Sequence, residues 1–392
     1  MQTYIQRHLS PQIAKDIESF PAVVLLGPRQ CGKTTLVQAL GREHSDFTYL
    51  DLQRPQDLRR IEDPELFLET NANRIICLDE IQRLPGLFAI LRGFIDRRER
   101  RTKLLLLGSA SPDLVKKSAE SLAGRAVYRE LAPFTWPEIK ALPERSLREL
   151  WLRGGFPESL LAISAAVSWE WRASFLRTIV ERDIPGLASG IPAAALYRFI
   201  RMLSHVHGQV LNLSALGNSL GVSGHTIRTW LDLLAGTFHV RLVEPLQANT
   251  GKRLVKSPKL YLRDSGILHS LIETESFDDL LAHPAFGASW EGFVLEQVQS
   301  SFPEARYSYY RTASGVEADL VVEMGRRRFV IETKASSEPA PTKAFWTALD
   351  DLEPQRSWIV APIESGWPLR GEVEVTSLPG LLNSLGRELD SA

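Results

Sequence analysis

VVLLGPRQCGKTT, residues 23–35, is the stretch whose reading decides the fold of the N-terminal part of this chain. Val23–Leu26 is a short, branched apolar run and predicts a buried parallel strand. Gly27, Gly32, Lys33 and Thr34 follow at the spacing G-x-x-x-x-G-K-[ST]. Each residue type has a physical task in such a loop. The glycines let the backbone curl until its N–H groups point at phosphate oxygens. Pro28, Arg29, Gln30 and Cys31 line the curl, Lys33 reaches the β- and γ-phosphates, and Thr34 offers a hydroxyl to Mg²⁺, with Thr35 beside it. The helix predicted from Lys33 onward adds its positive end. ATP and Mg²⁺ are therefore the expected cofactors.

A second segment, RIICLDEIQRLP, places Asp79 and Glu80 at the end of an apolar strand, Ile75–Leu78. Strand-end carboxylates suit a site at the C-terminal edge of a parallel sheet. Asp79 is the expected metal-holding acid and Glu80 the group that orients or deprotonates the attacking water. KLLLLGSAS supplies a further strand, Leu104–Leu107, with Gly108-Ser109 after it. With Thr48–Asp51 and Ala126–Glu130, strands alternate with helical stretches. The expected fold is α/β, a parallel sheet with helices on both faces.

The segments LLGPRQCGKTTL, LDEIQRLP, LLGSAS, SLAGR and LAPFTWPE together resemble a group of prokaryotic AAA-type ATPases that carry a C-terminal domain of unknown function. GGFPE, RTIVERDI, KLYLRDSGILH and IETK match that group as well, so the resemblance covers nearly the whole chain. Cys31 stands where a small aliphatic residue is usual, a change the loop tolerates because it works through backbone N–H groups. The resemblance implies that Ser109 acts as a sensor of the γ-phosphate or water. Arg125 is the candidate arginine finger or sensor, in its own subunit or a neighbour's.

The middle of the chain reads as a helix-turn-helix. In LNLSALGNSLGVSGHTIRTWLDLL, Leu213, Leu216 and Leu220 mark one helix face. Gly221-Val222-Ser223 makes the turn, with Ser223 as N-cap, and Ile227, Leu231 and Leu234 mark the second helix. FHVRLVEPL and KLYLRD follow as two strands, which gives a winged variant. The second helix is expected to turn His225, Thr226, Arg228 and Thr229 outward. From Leu213 to Lys259 the basic residues are Arg228, Arg241, Lys252, Arg253, Lys256 and Lys259, against only Asp232 and Glu244. This local excess predicts phosphate contacts from His225, Thr226, Arg228, Lys252 and Arg253.

In the C-terminal third, GVEADLVVEMGRRRFVIETKAS predicts a hairpin, Val316–Val322 and Arg328–Thr333, about Met324-Gly325-Arg326. Asp319 lies on its first strand, and Glu332 and Lys334, two apart, face one side of its second. Carboxylates bind hard cations and a lysine stabilises charge on a phosphate. With Glu291 on the preceding helix, and Glu296 as the alternative to it, this set resembles the PD-(D/E)xK nuclease superfamily. The leading Pro of that motif is replaced by Glu317-Ala318.

Length and composition agree with several domains. At roughly 100–200 residues each, 392 residues suggest two or three. The boundaries predicted are 1–145 for the ATPase domain, 146–205 for a helical lid or connector, 206–272 for the winged helix-turn-helix and 273–392 for the nuclease-like domain. A net charge of −1 excludes a globally basic nucleic-acid coat. Two cysteines make no disulfide framework, no signal-peptide core opens the sequence and no apolar run approaches about 20 residues, so a cytoplasmic protein without a membrane partner is expected. The function expected is Mg²⁺-dependent ATP hydrolysis that remodels or translocates DNA, with a metal-dependent nuclease-like site. The alternative is a nucleotide-controlled switch with a protein partner and a non-catalytic C-terminal domain. A homo-oligomer would share the ATP site through Arg125.

Overall fold

The computed structural model describes residues 4–97, 102–109, 120–143, 145–185, 187, 191–247 and 252–390. The chain divides into two compact units, one running through Ala141 with Gly236–Phe238, the other comprising Leu142–Ala235 and His239 onward.

The first unit is built on strands β1 (Ala22–Gly27), β2 (Phe47–Asp51), β3 (Ile75–Asp79), β4 (Lys103–Ser109) and β5 (Ala126–Glu130). All pairings are parallel, in the order β2-β3-β4-β1-β5. Strand periodicity builds three layers from this sheet. Val24, Leu26, Ile76, Leu78, Leu104 and Leu106 pack on one face with Phe67, Leu68 and residues of helix Leu87–Ile95. Val23, Leu25, Ile75, Cys77, Leu105 and Leu107 pack on the other, against helices Ser10–Ser19 and Lys33–Gly41. Each such side chain contributes about 1.5–3 kcal/mol of burial. The parallel α/β fold read from the sequence is the fold observed. The order matters for function: β4 lies between β1 and β3, so the ends of those two strands stand roughly 10 Å apart.

In the second unit, helices Leu213–Leu220 and Gly224–Gly236 are joined by the predicted turn. Gly221 turns the chain at φ 69°, and Ser223 Oγ accepts the Thr226 N–H at 3.0 Å. Strands β6 (Gln209–Val210), β7 (Val240–Val243) and β8 (Lys259–Leu262) form a small antiparallel sheet, β6-β8-β7. A six-stranded mixed sheet then follows: β9 (Arg306–Arg311), β10 (Glu317–Met324), β11 (Arg327–Thr333), β12 (Arg356–Val360), β13 (Trp367–Pro368) and β14 (Val373–Thr376), in the order β13-β14-β12-β11-β10-β9. The predicted hairpin is β10–β11, antiparallel, with Gly325 at φ 62°. Val321, Val330, Ile359 and Val375 pack beneath Phe345, Ala348 and Leu352 of helix Lys343–Leu352. The edge of β9 is covered by the chain leaving β7: Leu246 N–H donates to Tyr309 O at 2.7 Å and Val255 N–H to Arg311 O at 2.9 Å. Covering an edge removes a row of unpaired backbone groups.

The segments GGFPE and KLYLRDSGILH meet in one joint. Asp264 accepts from Gly155 N at 2.8 Å and from Ile267 N at 2.9 Å. A Cβ on Gly154 would lie 2.1 Å from Asp264 Oδ1, and one on Gly266 would lie 2.1 Å from Arg153 O. Arg172, almost wholly buried, donates to Leu152 O at 3.2 Å and Gly266 O at 3.1 Å. His269 closes the joint, its Nδ1 2.9 Å from Leu152 O and its Nε2 2.7 Å from Ser289 Oγ. Gly154 and Gly266 are thereby explained as packing: each is where a carboxylate or a backbone must come close.

Two outcomes follow for this joint. Gly266→Ala meets backbone rather than a flexible side chain and should cost about 3 kcal/mol in urea denaturation, whereas Gly287→Ala, with open space around it in helix Phe286–Ser301, should raise the midpoint slightly, a gain of about 0.4–1 kcal/mol. Burial first, then the nearby Arg172 and His207 charges, holds His269 down to about 3 against 6.5 unfolded. Its neutral form belongs to the fold, so its contribution is complete above pH 6.5 and falls as the pH drops toward 3. The stability difference between wild type and His269→Gln should therefore shrink between pH 7 and pH 5; a constant difference counts against a neutral buried imidazole.

Candidate functional site

The loop between β1 and helix Lys33–Gly41 is shaped by backbone constraints. Gly27 lies at φ 156°, and a Cβ there would stand 2.3 Å from Leu131 O. Gly32 lies at φ 99° and Gln30 at φ 61°. A non-glycine residue in the left-handed region costs on the order of 1–2 kcal/mol, a strain kept where a loop is over-determined by its surroundings. Lys33 is buried, and its Nζ donates to Gly27 O at 2.9 Å and Pro28 O at 2.8 Å. Cys31 is fully buried in the core beside β1.

Across β4, the end of β3 meets this loop. Thr34 Oγ1 donates to Asp79 Oδ2 at 2.7 Å, and Tyr49 OH donates to the same oxygen at 2.8 Å. Burial lifts the Asp79 carboxyl above its ordinary range, while the Thr34 and Tyr49 hydrogen bonds pull it back. Glu80 follows at φ 58° and carries the second strained backbone of the site. Its N–H donates to Asp79 Oδ1 at 2.9 Å, and its carboxylate takes a hydrogen bond from Gln82. Ser109 stands opposite Gly27 in the β1–β4 register; its side chain lies outside the described residues. The sequence-predicted Gly27, Gly32, Lys33, Thr34, Asp79 and Glu80 are thus gathered at one sheet edge. Residues of this kind fit a nucleotide with its ion: a close-approach glycine cradle, a buried lysine, and a hydroxyl and carboxylate as hard oxygen donors.

Arg125 is placed elsewhere. It precedes β5, and Ala22 N–H donates to its carbonyl, so it stands at the N-terminal edge of the sheet, opposite the loop. Its guanidinium holds Asp96 at 2.6 and 2.9 Å. In a parallel sheet a residue before a strand and a residue after its neighbour lie a strand's length apart. The expectation that Arg125 completes the site of its own chain is therefore corrected.

One residue was not legible in the sequence. Arg7 is buried beneath the loop: it donates to Cys31 O at 2.7 Å, Ala132 O at 2.6 Å and Glu138 Oε1 at 2.9 Å. Glu138 also accepts from His8 N at 2.8 Å and Thr135 N at 2.9 Å. Its partner is 131 positions away, and no local pattern marks it.

The second unit holds the other predicted residues. His225, Arg228 and Thr229 are exposed on helix Gly224–Gly236, as expected, and Thr226 is half-buried. The basic excess of this region is mostly neutralised. Arg228 pairs with Asp232 at 3.0 Å and Lys252 with Asp351 at 2.5 Å. Arg241 pairs with Glu296, which also holds Arg263 at 3.2 Å. The partners Asp351 and Glu296 lie outside residues 213–259 in the chain. Arg253 and Lys256 are exposed.

Glu291, Asp319, Glu332 and Lys334 do come together, in a pocket where helix Phe286–Ser301 faces β10 and β11. Lys334 Nζ donates to Glu332 Oε1 at 2.7 Å, and Asp319 Oδ2 accepts from Thr333 N at 2.9 Å and Thr333 Oγ1 at 2.8 Å. Burial and the Asp319 charge raise Glu291 to about 7 and also raise Glu332. Glu296, held by two arginines, is not part of the pocket. Lys259, buried and counted above as part of a basic surface, is in the pocket, its Nζ 2.9 Å from Glu291 Oε1 and 2.6 Å from Glu317 Oε1. Among the described residues no three His, Cys, Asp or Glu side chains are grouped to hold a metal ion.

The fold and first site define the class, a P-loop ATPase of the AAA type with a C-terminal domain of unknown function. Residues 19–140 match the AAA domain family, 144–278 a domain of unknown function (DUF8612) and 286–381 a second (DUF4143). The chain belongs to the family of the Mycobacterium tuberculosis protein Rv2008c, with which it is 41% identical over 371 residues, 94% of this chain and 82% of that one. The Methanocaldococcus jannaschii protein MJ1544 is 22% identical over 362 residues, 84% of this chain and 79% of that one. Both relatives are described as uncharacterized. Among solved structures, a Walker-type ATPase of Pyrococcus abyssi aligns with a TM-score of 0.48 at 15% identity, covering 69% of this chain and 96% of that one. The Aeropyrum pernix ORC1 protein in complex with DNA aligns at 0.34 and 14%, covering 72% and 95%. Among the described residues no helix is long and apolar enough to cross a membrane.

Removing Arg7 takes the counter-charge from the buried Glu138 carboxylate, which keeps only its neutral donors, and takes a donor from the Cys31 and Ala132 carbonyls. Arg7→Ala should destabilise the first unit by about 3 kcal/mol and weaken ATP binding about tenfold, or ~1.4 kcal/mol. Urea denaturation and titration with a fluorescent ATP analogue measure the two effects. Unchanged nucleotide affinity would show that Arg7 only packs.

Proposed function

We propose that this protein is a Mg²⁺-dependent ATP hydrolase whose turnover moves or remodels DNA. The observation that carries the reading is the 2.7 Å contact of Thr34 with Asp79, with Glu80 strained beside it. In this reading the N–H groups of residues 27–34 and Lys33 hold the phosphates, and Thr34 and Asp79 hold the ion. When bound, Mg²⁺ neutralises charge on the transferring phosphoryl group. Glu80 orients the attacking water and accepts its proton, Gln82 positions Glu80, and Tyr49 positions Asp79. Ser109, opposite Gly27, is the sensor, and Arg125 acts on a neighbouring subunit's site in a homo-oligomer. The helix-turn-helix, taken as a winged helix, presents His225, Arg228 and Thr229 to DNA, with Arg253 and Lys256 as further phosphate contacts.

A second reading, a nucleotide-controlled switch with a protein partner and a non-cleaving nuclease-like domain, is favoured by two observations. The basic residues of the middle region are largely paired, and Lys259 stands among the carboxylates. ATPase assays with duplex, forked and single-stranded DNA separate the two readings. The first expects at least one of these DNAs to raise the rate several-fold, with the stimulation lost in Arg228→Ala/Arg253→Ala and weakened by salt. A flat response supports the switch. In either case Glu80→Gln should keep nucleotide binding while kcat falls at least a hundredfold; near-normal turnover in that variant would overturn the role given to Glu80.

A further inference from the structure

The acidic pocket of the second unit contains a cation of its own. Glu291 comes from helix Phe286–Ser301, Glu317 and Asp319 from β10, and Glu332 from β11. Strand β8, from the small sheet behind the helix-turn-helix, sends Lys259 among them. The Lys259 side chain is 2% exposed, and its Nζ lies 2.9 Å from Glu291 Oε1, 2.6 Å from Glu317 Oε1 and 3.7 Å from Asp319 Oδ1. Tyr261, two residues on and so on the same face of β8, donates its hydroxyl to Glu291 Oε1 at 2.5 Å. Arg311 holds the other oxygen of Glu317 at 3.1 Å.

An ammonium and a divalent ion ask for the same surroundings, oxygens converging from several directions, but at different distances. Mg²⁺ needs oxygens at about 2.0–2.1 Å and Ca²⁺ at about 2.3–2.6 Å. N–H···O⁻ contacts lie at about 2.7–2.9 Å. The two close carboxylates here surround Lys259 Nζ at the spacing of ammonium hydrogen bonds. A divalent ion held jointly by Glu291 and Glu317 would need that nitrogen withdrawn. A buried ammonium without anions would be costly, as would these carboxylates without a cation, so each side requires the other.

We propose that Lys259 is the resident cation of Glu291, Glu317 and Asp319, as Lys334 is of Glu332, taking the charge-neutralising place of a divalent ion and joining the helix-turn-helix region to the C-terminal sheet, so that the pocket is a structural joint and not a hydrolytic centre. This rests on reading Asp319, Glu332 and Lys334 as a nuclease-like set, and it is independent of ATP turnover and of any effect of DNA on it.

The test is Mn²⁺ binding to the nucleotide-free full chain, counted from the loss of the free-ion EPR signal. Wild type and Asp319→Asn should bind the same amount. Lys259→Met should gain about one ion per chain, and Lys259→Met/Asp319→Asn should lose it again. Millimolar Mn²⁺ should also restore part of the melting temperature lost in Lys259→Met, which a lysine serving only to pack would not require. Should Lys259→Met fail to fold, Lys259→Gln takes its place, and the wild-type comparison needs neither variant. The proposal is overturned if wild type binds an Asp319-dependent ion, if a folded Lys259 variant gains none, or if wild type cleaves DNA with Mn²⁺ in an Asp319-dependent way.

Discussion

A charge removed from water must find a counter-charge or a set of dipoles, and the joints of this protein are built where that requirement is met. Arg7 is buried only because Glu138 and two carbonyls receive its guanidinium. Arg172 is buried only because carbonyls at Leu152 and Gly266 do the same. Lys259 is buried among three carboxylates from two other elements. Such pairs add little net stability, since desolvation cancels much of the attraction. What they supply is selectivity of arrangement: a strand shifted by one residue would leave an ion in an apolar core.

At the nucleotide loop the requirement acts together with topology. Inserting β4 between β1 and β3 sets the spacing at which Thr34 and Asp79 meet, and the all-parallel register sends every strand end to one edge. Asp79 is held by the Thr34 and Tyr49 hydroxyls and the Glu80 amide, and burial raises it. A carboxylate left in that condition favours an added cation. The strained backbones of Gln30 and Glu80 sit on either side of that contact, so their conformational cost falls where groups must be aimed.

The division between what was legible in the sequence and what was not follows the range of the interactions. The loop glycines, the strand-end acids, the turn at Gly221 and the hairpin at Gly325 are local: a few neighbours decide them, and they stand where the sequence places them. Ser223 as N-cap is of the same kind. Arg7 with Glu138, Lys252 with Asp351 and Arg241 with Glu296 are decided by partners 131, 99 and 55 residues away, which no count of local charge reveals. Arg125 is an intermediate case. Its displacement from the loop follows from strand direction alone, because it precedes a strand parallel to the one the loop follows.

The same distinction bears on the C-terminal pocket. An acid on one strand and E-x-K on the next specify that carboxylates and a lysine face one another, because side chains two apart share a face. The pattern leaves open which cation the carboxylates surround. A metal leaves no mark in a sequence other than its ligands, and an ammonium arriving from β8 asks for the same ligands. Lys259 reads as a surface charge when it is counted with its neighbours along the chain, and as a buried counter-ion only when β8 is laid against helix Phe286–Ser301 and β10. Sequence alone leaves that choice open, and in the fold Lys259 Nζ lies 2.9 Å from Glu291 Oε1 and 2.6 Å from Glu317 Oε1, the length of a hydrogen bond.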